Sequence, residues 1–350
     1  TNAASQPLGI DDPAPRLTWT MLGTHRGVSQ TAYRILVATK LELAREGKAD
    51  VWDSQQITSS DPWIIYAGPT LKSRTRYYWT VRVWTNNLAS NWASVTWFET
   101  AFMSAGEWKG QWIAGPERSK VLTEVEGKAD DELIRNAGEF CRPTGWLTSG
   151  FAAPLIKNNQ GDCREVRPAP LLRKSFNISK PVARARVYSS GLAYNDMTLN
   201  GQRTSDRMLD PNFTDYSKTI LYSVQDITSL LRQGENVIAT QLGSGHFDDA
   251  TRTWDWGWEQ AQWRSTPRLR LDLYITFTDG TEQIIRSDDS WKVSTAGPTR
   301  YDSYYLGETY VARHEISGWD RPGFNPAGWE SARVVEAPTG VLRAESQEPI

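Results

Sequence analysis

Apolar and polar residues alternate with a period of two through most of the chain. In RYYWTVRVWT, residues 76–85, the odd-numbered residues from Tyr77 to Val83 are apolar or aromatic, whereas the even-numbered residues include Thr80 and Arg82. Such alternation places successive side chains on opposite sides of a β-strand. We therefore expect a strand with one face in a core and the other face in solvent.

Four further segments of the first hundred residues have the same strand character and are separated by turn sequences such as SSDP and TNN. They are RLTWTM (16–21), TAYRILVAT (31–39), WIIYAG (63–68) and VTWFETAF (95–102). Only KLELAREGK, residues 40–48, has the composition of a short helix. This spacing predicts a fibronectin III-like β-sandwich over residues 1–103.

Residues 104–168 have little periodicity and contain Gly, Pro, Asn and scattered charges. We interpret them as a linker or insertion. Both cysteines of the chain, Cys141 and Cys163, lie in this stretch, where a disulfide between them would close a loop of moderate length. Two free thiols are the alternative.

Strand patterns return in residues 169–318, and the Asp279-Gly280 pair predicts a tight hairpin turn between two of them. Their number and length favour a second all-β domain of the jelly-roll type. Residues 319–350 are rich in Gly and Pro, and we interpret them as a linker. The predicted fold class is thus all-β, with a fibronectin III-like sandwich followed by a jelly-roll sandwich.

Charge and composition exclude some classes of function and favour others. The 39 basic and 41 acidic residues give a net charge of −2 without any block of like charge, so we expect neither nucleic acid nor a membrane as a partner. Seventeen Trp and thirteen Tyr against nine Phe are typical of extracellular β-sandwiches and sugar-binding surfaces. Together with two cysteines and the sequons at Asn177 and Asn212, this balance predicts a secreted protein.

Common catalytic signatures are absent from the sequence. It contains no G-x-S-x-G, P-loop, H-E-x-x-H or C-x-x-C motif, and only three histidines. Two carboxylates of a glycoside hydrolase could still meet in space, because sequence alone does not reveal such a pair. We assign no catalytic residue within the chain.

A tryptophan-rich stretch, TWDWGWEQAQW at residues 253–263, follows the loop GSGHFDDATR at residues 243–252. Indoles offer flat apolar faces to a sugar ring, and neighbouring polar groups can bind its hydroxyls. We predict a sugar site formed by His246, Asp248, Asp249, Trp254, Trp256 and Trp258. Packing of these indoles against protein is the alternative.

An acidic and amide-rich run, residues 194–216, supplies the oxygen ligands that Ca²⁺ prefers. We assign Asp196 and Asn200 to the sugar site. A possible Ca²⁺ is assigned to Asp206, Asp210, Asn212 and Asp215. Ordinary turn chemistry is the alternative, since Asn200-Gly201 and Asp210-Pro211 are common turn sequences.

Several short motifs resemble the N-terminal β-sandwich region of the α-L-rhamnosidases of glycoside hydrolase family 78. In chain order they are Ala185-Arg186-Val187-Tyr188, Leu199-Asn200-Gly201, Thr214-Asp215-Tyr216, Asp226-Ile227-Thr228, Gly234-Glu235-Asn236 and Gly243-Ser244-Gly245-His246. The resemblance covers nearly the whole chain apart from residues 119–168.

The resemblance implies a non-catalytic accessory region, because such enzymes carry their acid and base carboxylates in an (α/α)₆ barrel that follows it. The second domain is also similar to carbohydrate-binding module family 67, which implies calcium-dependent binding of L-rhamnose. Expected partners are rhamnose-containing glycans or glycosides and the catalytic domain of the same protein. A purely structural scaffold that braces the barrel is the alternative.

Overall fold

The computed structural model describes residues 1–22, 27–86, 88–116, 168–248, 261–304 and 307–346. The chain folds into two compact units, Thr1–Trp108 with a short piece beginning at Ala344, and Lys109–Arg343. Strands provide nearly all of the regular structure in both units, which confirms the all-β prediction. No helix in the described part of the chain is long and apolar enough to span a membrane.

The described residues of the first unit form nine strands, one short α-helix and a single 3-10 turn at Ala105–Glu107. The strands are β1 Leu8–Ile10, β2 Arg16–Thr18, β3 Ala32–Ala38, β4 Trp52–Asp53, β5 Ile57–Thr58, β6 Trp63–Ile65, β7 Arg76–Thr85, β8 Leu88–Ala89 and β9 Thr96–Thr100. The main sheet has the order β1-β9-β7-β3-β4, with β5 paired to β3 and β8 paired to β7, and a second sheet pairs β2 with β6.

The period of two in β7 is realised as expected. Tyr77, Trp79 and Val81 lie in the core of the first unit, each at most 5% exposed. The opposite face is less exposed to solvent than the pattern predicted, because Thr80 is also buried. Its hydroxyl donates to the backbone carbonyl of Ala93 at 2.7 Å.

Helix α1, Leu41–Arg45, lies within the predicted segment. Gly47 ends it in a left-handed conformation, with φ of 69°. The amide of Lys48 bonds to the carbonyl of Leu43 and the amide of Gly47 bonds to that of Ala44. This pair of bonds is the Schellman arrangement, which satisfies the last carbonyls of a helix and favours glycine at that position.

The second unit contains fifteen strands in the described residues. They are β10 Ile113–Ala114, β11 Leu171–Ile178, β12 Val182–Leu192, β13 Tyr194–Leu199, β14 Gln202–Arg203, β15 Thr219–Asp226, β16 Gly234–Gly243, β17 Arg268–Phe277, β18 Glu282–Arg286, β19 Lys292–Ser294, β20 Thr299–Ser303, β21 Gly307–Tyr310, β22 Glu330–Ser331, β23 Arg333–Val334 and β24 Val341–Ala344.

Two sheets of this unit face each other as a β-sandwich. One has the order β23-β10-β17-β12-β15-β24 with β18 paired to β17, and the other has the order β14-β13-β16-β11-β19-β22. Their inner faces share one core, to which the first sheet contributes Val187 and Leu273 and the second contributes Leu172 and Ile238. Trp291, fully buried, also lies in this core and donates its indole N–H to the carbonyl of Arg286 at 2.9 Å.

Turn chemistry fixes the register of two hairpins. Asn200 and Gly201 both have positive φ, 55° and 80°, as the turn between β13 and β14 requires. Between β17 and β18 only Gly280 has positive φ, whereas Asp279 caps the turn by accepting from the amide and hydroxyl of Thr281. The predicted hairpin at Asp279-Gly280 therefore forms with one left-handed residue rather than two.

Both segments interpreted as linkers contribute strands to the second unit. Within residues 104–168, β10 pairs with β17. Within residues 319–350, β22 pairs with β19, β23 pairs with β10, and β24 follows at the opposite edge of the same sheet, beside β15. Strands of two to four residues carry too little periodicity to be recognised in a sequence, which is why these edges were missed.

Candidate functional site

The candidate site is built on the turn that follows β16. Here the sequence GSGHFD, residues 243–248, turns back on itself, with the amide of Asp248 donating to the carbonyl of Ser244 at 3.0 Å. Gly245 has φ of 42°, and a Cβ atom added there would lie 2.5 Å from the Cβ of Ala193. Only glycine suits this position, because both the backbone conformation and the space exclude a side chain.

The turn places His246 in contact with two other rings. The His246 ring centroid lies 4.2 Å from that of Phe213 and 4.7 Å from that of Tyr304, with interplanar angles of 39° and 40°. His246 is buried, whereas Phe213 is 37% exposed and Tyr304 is 54% exposed. We call Phe213, His246 and Tyr304 the ring platform. It consists of two exposed aromatic rings, each in contact with a buried imidazole.

A layer of buried rings supports the platform. Tyr216 contacts Phe213 edge to face at 5.9 Å, and it also contacts Phe247 at 5.4 Å and Trp263 at 5.8 Å. Tyr216 is 1% exposed, and burial raises the pKa of its hydroxyl. The indole of Trp263 donates to the carbonyl of His246 at 3.4 Å. Aromatic contacts of this kind hold ring orientations through packing, so we expect the platform to keep its shape without ligand.

Two carboxylates flank the turn. The Oδ1 atom of Asp302 accepts from the amide of Ser244 at 2.5 Å, and its Oδ2 atom lies 3.3 Å from the Ser244 hydroxyl. Asp248 is 5% exposed and lies 3.8 Å from the Nε atom of Arg264. Asp302 therefore holds the turn through Ser244. The buried carboxylate of Asp248 lies beside the guanidinium of Arg264.

Asp196 and Asn200, predicted to bind sugar, have partners of their own. Asp196 is exposed and forms an ion pair with Arg203 at 3.1 Å. The Asn200 side chain accepts from the amide of Val237 at 2.9 Å and donates to Asn236 at 2.9 Å. Its position is that of a turn residue tying β13 to β16, in line with the turn chemistry considered above.

The predicted calcium ligands do not come together as a set. Asp206 is exposed, Asp210 is buried with Arg207 at 3.3 Å, and Asn212 is half-buried. The Ser217 hydroxyl bonds to Asp215 and, with Lys218 at 3.1 Å, holds the pKa of that carboxyl below its usual value. Across the described ranges, no three His, Cys, Asp or Glu side chains are grouped to hold a metal ion. Calcium binding stays a prediction, and it would need oxygen ligands in addition to those of the four predicted residues.

Six predicted residues lie outside the described residues: Asp249, Trp254, Trp256, Trp258, Cys141 and Cys163. Of the predicted sugar residues, His246 lies in the platform, and Asp248 follows it in the same turn. Phe213, Tyr304 and Asp302 were not among the residues predicted from the sequence. Phe213 lies in the acidic run that was searched only for oxygen ligands, and DSYY at residues 302–305 was a usable but weak aromatic signal.

Family comparisons cover most of the chain. Residues 180–350 match the family described as Alpha-L-rhamnosidase N-terminal domain, and residues 1–104 match the Rha78A-like, N-terminal immunoglobulin domain. The chain has the N-terminal β-domains of the α-L-rhamnosidase family. The resemblance stated from the short motifs is thereby confirmed.

Relatives of known name and structure agree with this family. An α-L-rhamnosidase of Formosa agariphila is 33% identical over 348 residues, which cover 95% of this chain and 33% of that protein. The solved α-L-rhamnosidase of Dictyoglumus thermophilum superposes with a TM-score of 0.80 at 32% identity, over 98% of this chain and 34% of its own. This chain therefore spans about a third of the length of these relatives.

A second solved relative is the α-L-rhamnosidase of Streptomyces avermitilis, whose structure was determined in complex with L-rhamnose. It matches with a TM-score of 0.77 at 24% identity, over 97% of this chain and 44% of that one. At this identity the match supports a shared fold.

Proposed function

We propose that this chain is the accessory region of a protein that hydrolyses α-L-rhamnosides, and that its second unit binds terminal L-rhamnose on the ring platform. The observation that carries the proposal is the pair of exposed rings, Phe213 and Tyr304, that both contact buried His246. Hydrolysis itself is proposed for the whole protein on the strength of its family, and we assign no catalytic residue to this chain.

The chemistry of the platform suits a deoxy sugar. The C–H groups of a pyranose and the methyl group of L-rhamnose form an apolar surface that packs against aromatic faces. The same turn carries two polar side chains, His246 and Asp248, both of which are largely buried. A few polar groups beside apolar walls are the usual composition of a small-molecule site.

Calcium is a separate part of the proposal. Asp210 and Asp215 face Arg207 and Lys218, so a calcium ion bound to them would have to displace these cations. The binding proposed here therefore depends on the rings, and we treat a calcium requirement as a variable to be measured.

A scaffold role is the second candidate, and one observation favours it. Met208 and Leu209, which precede Phe213 in the same loop, are 54% and 46% exposed. Exposed apolar side chains beside exposed rings are also typical of a surface that packs against another part of a protein. In that case the platform would be covered in the longer protein and would have no affinity for sugar.

Calorimetric titration of the chain with L-rhamnose distinguishes the two candidates. We expect saturable heat with L-rhamnose and much less with D-mannose, measured once with Ca²⁺ and once with a chelator. Tyr304→Ala should lower the affinity, whereas Tyr310→Ala, which removes a tyrosine of 50% exposure from the same hairpin, should not. Absence of heat in both buffers would leave the scaffold role.

Secretion is proposed on the aromatic composition, the sequons and the two cysteines. A disulfide between Cys141 and Cys163 would support it. Mass spectrometry of the protein purified from its native host, with and without reduction, tests the bond by a mass difference of two hydrogens. Two alkylated thiols without prior reduction would contradict it.

A further inference from the structure

The two elements that meet at the platform are held together by one carboxylate. Tyr304 follows directly after β20, and His246 lies in the turn after β16. Asp302, in β20, reaches across to Ser244 with both of its oxygens, one on the backbone amide at 2.5 Å and one on the hydroxyl at 3.3 Å. The contact between Tyr304 and His246 thus lies two residues away from this clamp on each side.

The clamp is charge-assisted and largely shielded from water. Ser244 is 8% exposed and Asp302 is half-buried. Hydrogen bonds from a backbone amide to a carboxylate are shorter and stronger than bonds between neutral groups. Loss of the carboxylate would therefore leave a buried amide unsatisfied, and the turn and the hairpin would separate more easily.

We propose that Asp302 is a positioning residue, whose carboxylate fixes the turn that carries His246 against the hairpin that carries Tyr304 and so sets the spacing of the two exposed rings. Asp302 need not touch a ligand for this role. The part of this inference that concerns ligand binding rests on the proposed function. The part that concerns ring spacing does not.

The ring spacing can be followed by nuclear magnetic resonance (NMR) signals of the histidines. The chain has three histidines, so the imidazole C–H signals of protein labelled with ¹³C-histidine are few enough to assign by substitution. The His246 ring contacts two aromatic rings, whose ring currents shift its C–H signals. Tyr304→Ala removes one face and defines how far the His246 signal moves when that ring is lost.

Asp302→Ala should move the His246 signal in the same direction as Tyr304→Ala, although Tyr304 is still present. Asp302→Asn keeps an acceptor for the Ser244 amide and should restore a signal close to that of the unmodified protein. Asp288→Ala is the matched control, because Asp288 accepts from the amide and hydroxyl of Ser290 in the same way but lies at a different turn. It should leave the His246 signal unchanged.

Ligand binding provides the second readout. If the chain binds L-rhamnose, Asp302→Ala should weaken binding by about tenfold while Asp302→Asn retains it, because a misplaced ring loses its contact much as a deleted one does. If Asp302→Ala fails to fold, Asp302→Glu takes its place, since one extra methylene displaces the same charge and should still shift the signal.

The outcomes separate this inference from the proposed function. An unshifted His246 signal in Asp302→Ala, or in Asp302→Glu where alanine does not fold, overturns the positioning role whatever the chain binds. A shifted signal in a chain that gives no heat with L-rhamnose keeps the positioning role and removes the sugar.

Discussion

The carboxylate of Asp272 accepts a 2.7 Å hydrogen bond from the backbone amide of Gly110, which lies 162 residues earlier in the chain. The amide of Lys109 donates to the other oxygen at the same distance, and the Nε atom of Arg270 donates to the Gly110 carbonyl at 2.8 Å. This clasp holds the first residues of the second unit against β17.

The clasp predicts an unusual pH dependence of the free energy of unfolding. Burial raises the pKa of Asp272 to about 6 from an ordinary value of 3.8, against the opposing effect of its amide partners. A carboxyl that binds its proton more tightly when folded contributes most stability below about pH 4 and loses it as the pH rises through 6. The change amounts to at most about 3 kcal/mol, since one pKa unit corresponds to about 1.4 kcal/mol.

Urea unfolding at pH values from about 3.5 to about 7, in steps of about 0.5 pH unit, tests this expectation. The range includes both the ordinary carboxyl pKa and the raised one. The unfolding free energy of the unmodified protein minus that of Asp272→Asn should decrease as the pH rises from about 4 to about 6. Asp279→Asn is the control, because the exposed Asp279 has a lowered pKa, so its contribution to stability grows as the pH rises, which is opposite in sign to the change expected for Asp272. Parallel curves for Asp272→Asn would contradict the raised pKa.

A buried ion pair in the first unit predicts a large effect of one arginine. Arg76 lies 3.0 Å from the Glu99 carboxylate, which is 1% exposed, and its guanidinium stacks 3.8 Å above the ring of Trp97. Arg76→Ala removes both contacts and should destabilise the unit by about 3 kcal/mol, because it leaves a buried charge without this partner.

Arg34→Ala provides the comparison for that prediction. Arg34 pairs with Asp53 at a partly exposed site, where an ion pair contributes about 1 kcal/mol or less. Thermal or urea unfolding of the two variants should rank Arg76→Ala well below Arg34→Ala in stability. Equal losses of unfolding free energy in the two variants would mean that the burial of Glu99 does not make its pairing with Arg76 more important for stability.

Gly245→Ala should damage the platform more than an ordinary glycine substitution. The residue has φ of 42°, and the new methyl group would lie within 3 Å of Ala193 and Tyr194. Gly280→Ala faces a similar conformational cost at φ of 82° but has open space around it. That cost is about 1 kcal/mol, and we expect a further 1 to 3 kcal/mol, roughly, for the clash at Gly245.

Unfolding experiments on both glycine variants check this difference. The His246 signal should also move in Gly245→Ala and stay in place in Gly280→Ala. If the two variants lose the same stability, the turn has more freedom than its contacts indicate.

The fold was predictable wherever the sequence repeats a local pattern. The alternation in β7 and the short helix within residues 40–48 each depend on neighbours in the chain, so propensity and spacing were sufficient. Trp97 shows the limit, since its strand was predicted but its side chain lies beneath Arg76 rather than in the core of the first unit.

The platform was predictable only in part. His246 was recognised because the turn that carries it has a distinctive sequence. Phe213 and Tyr304 reach it from distant parts of the chain, and their meeting depends on the pairing of β20 with β21 and on the bond from Ser244 to Asp302. Contacts created by tertiary structure alone leave no periodic signal in a sequence.

Addition of L-rhamnose to protein labelled with ¹³C-histidine tests the central claim most directly. We predict that the His246 signal moves and saturates with the dissociation constant measured by calorimetry, while His314 stays in place and D-mannose has little effect. A His246 signal that stays unchanged at saturating L-rhamnose would contradict the claim, because a sugar stacked on Phe213 and Tyr304 cannot leave the ring that contacts both of them unaffected.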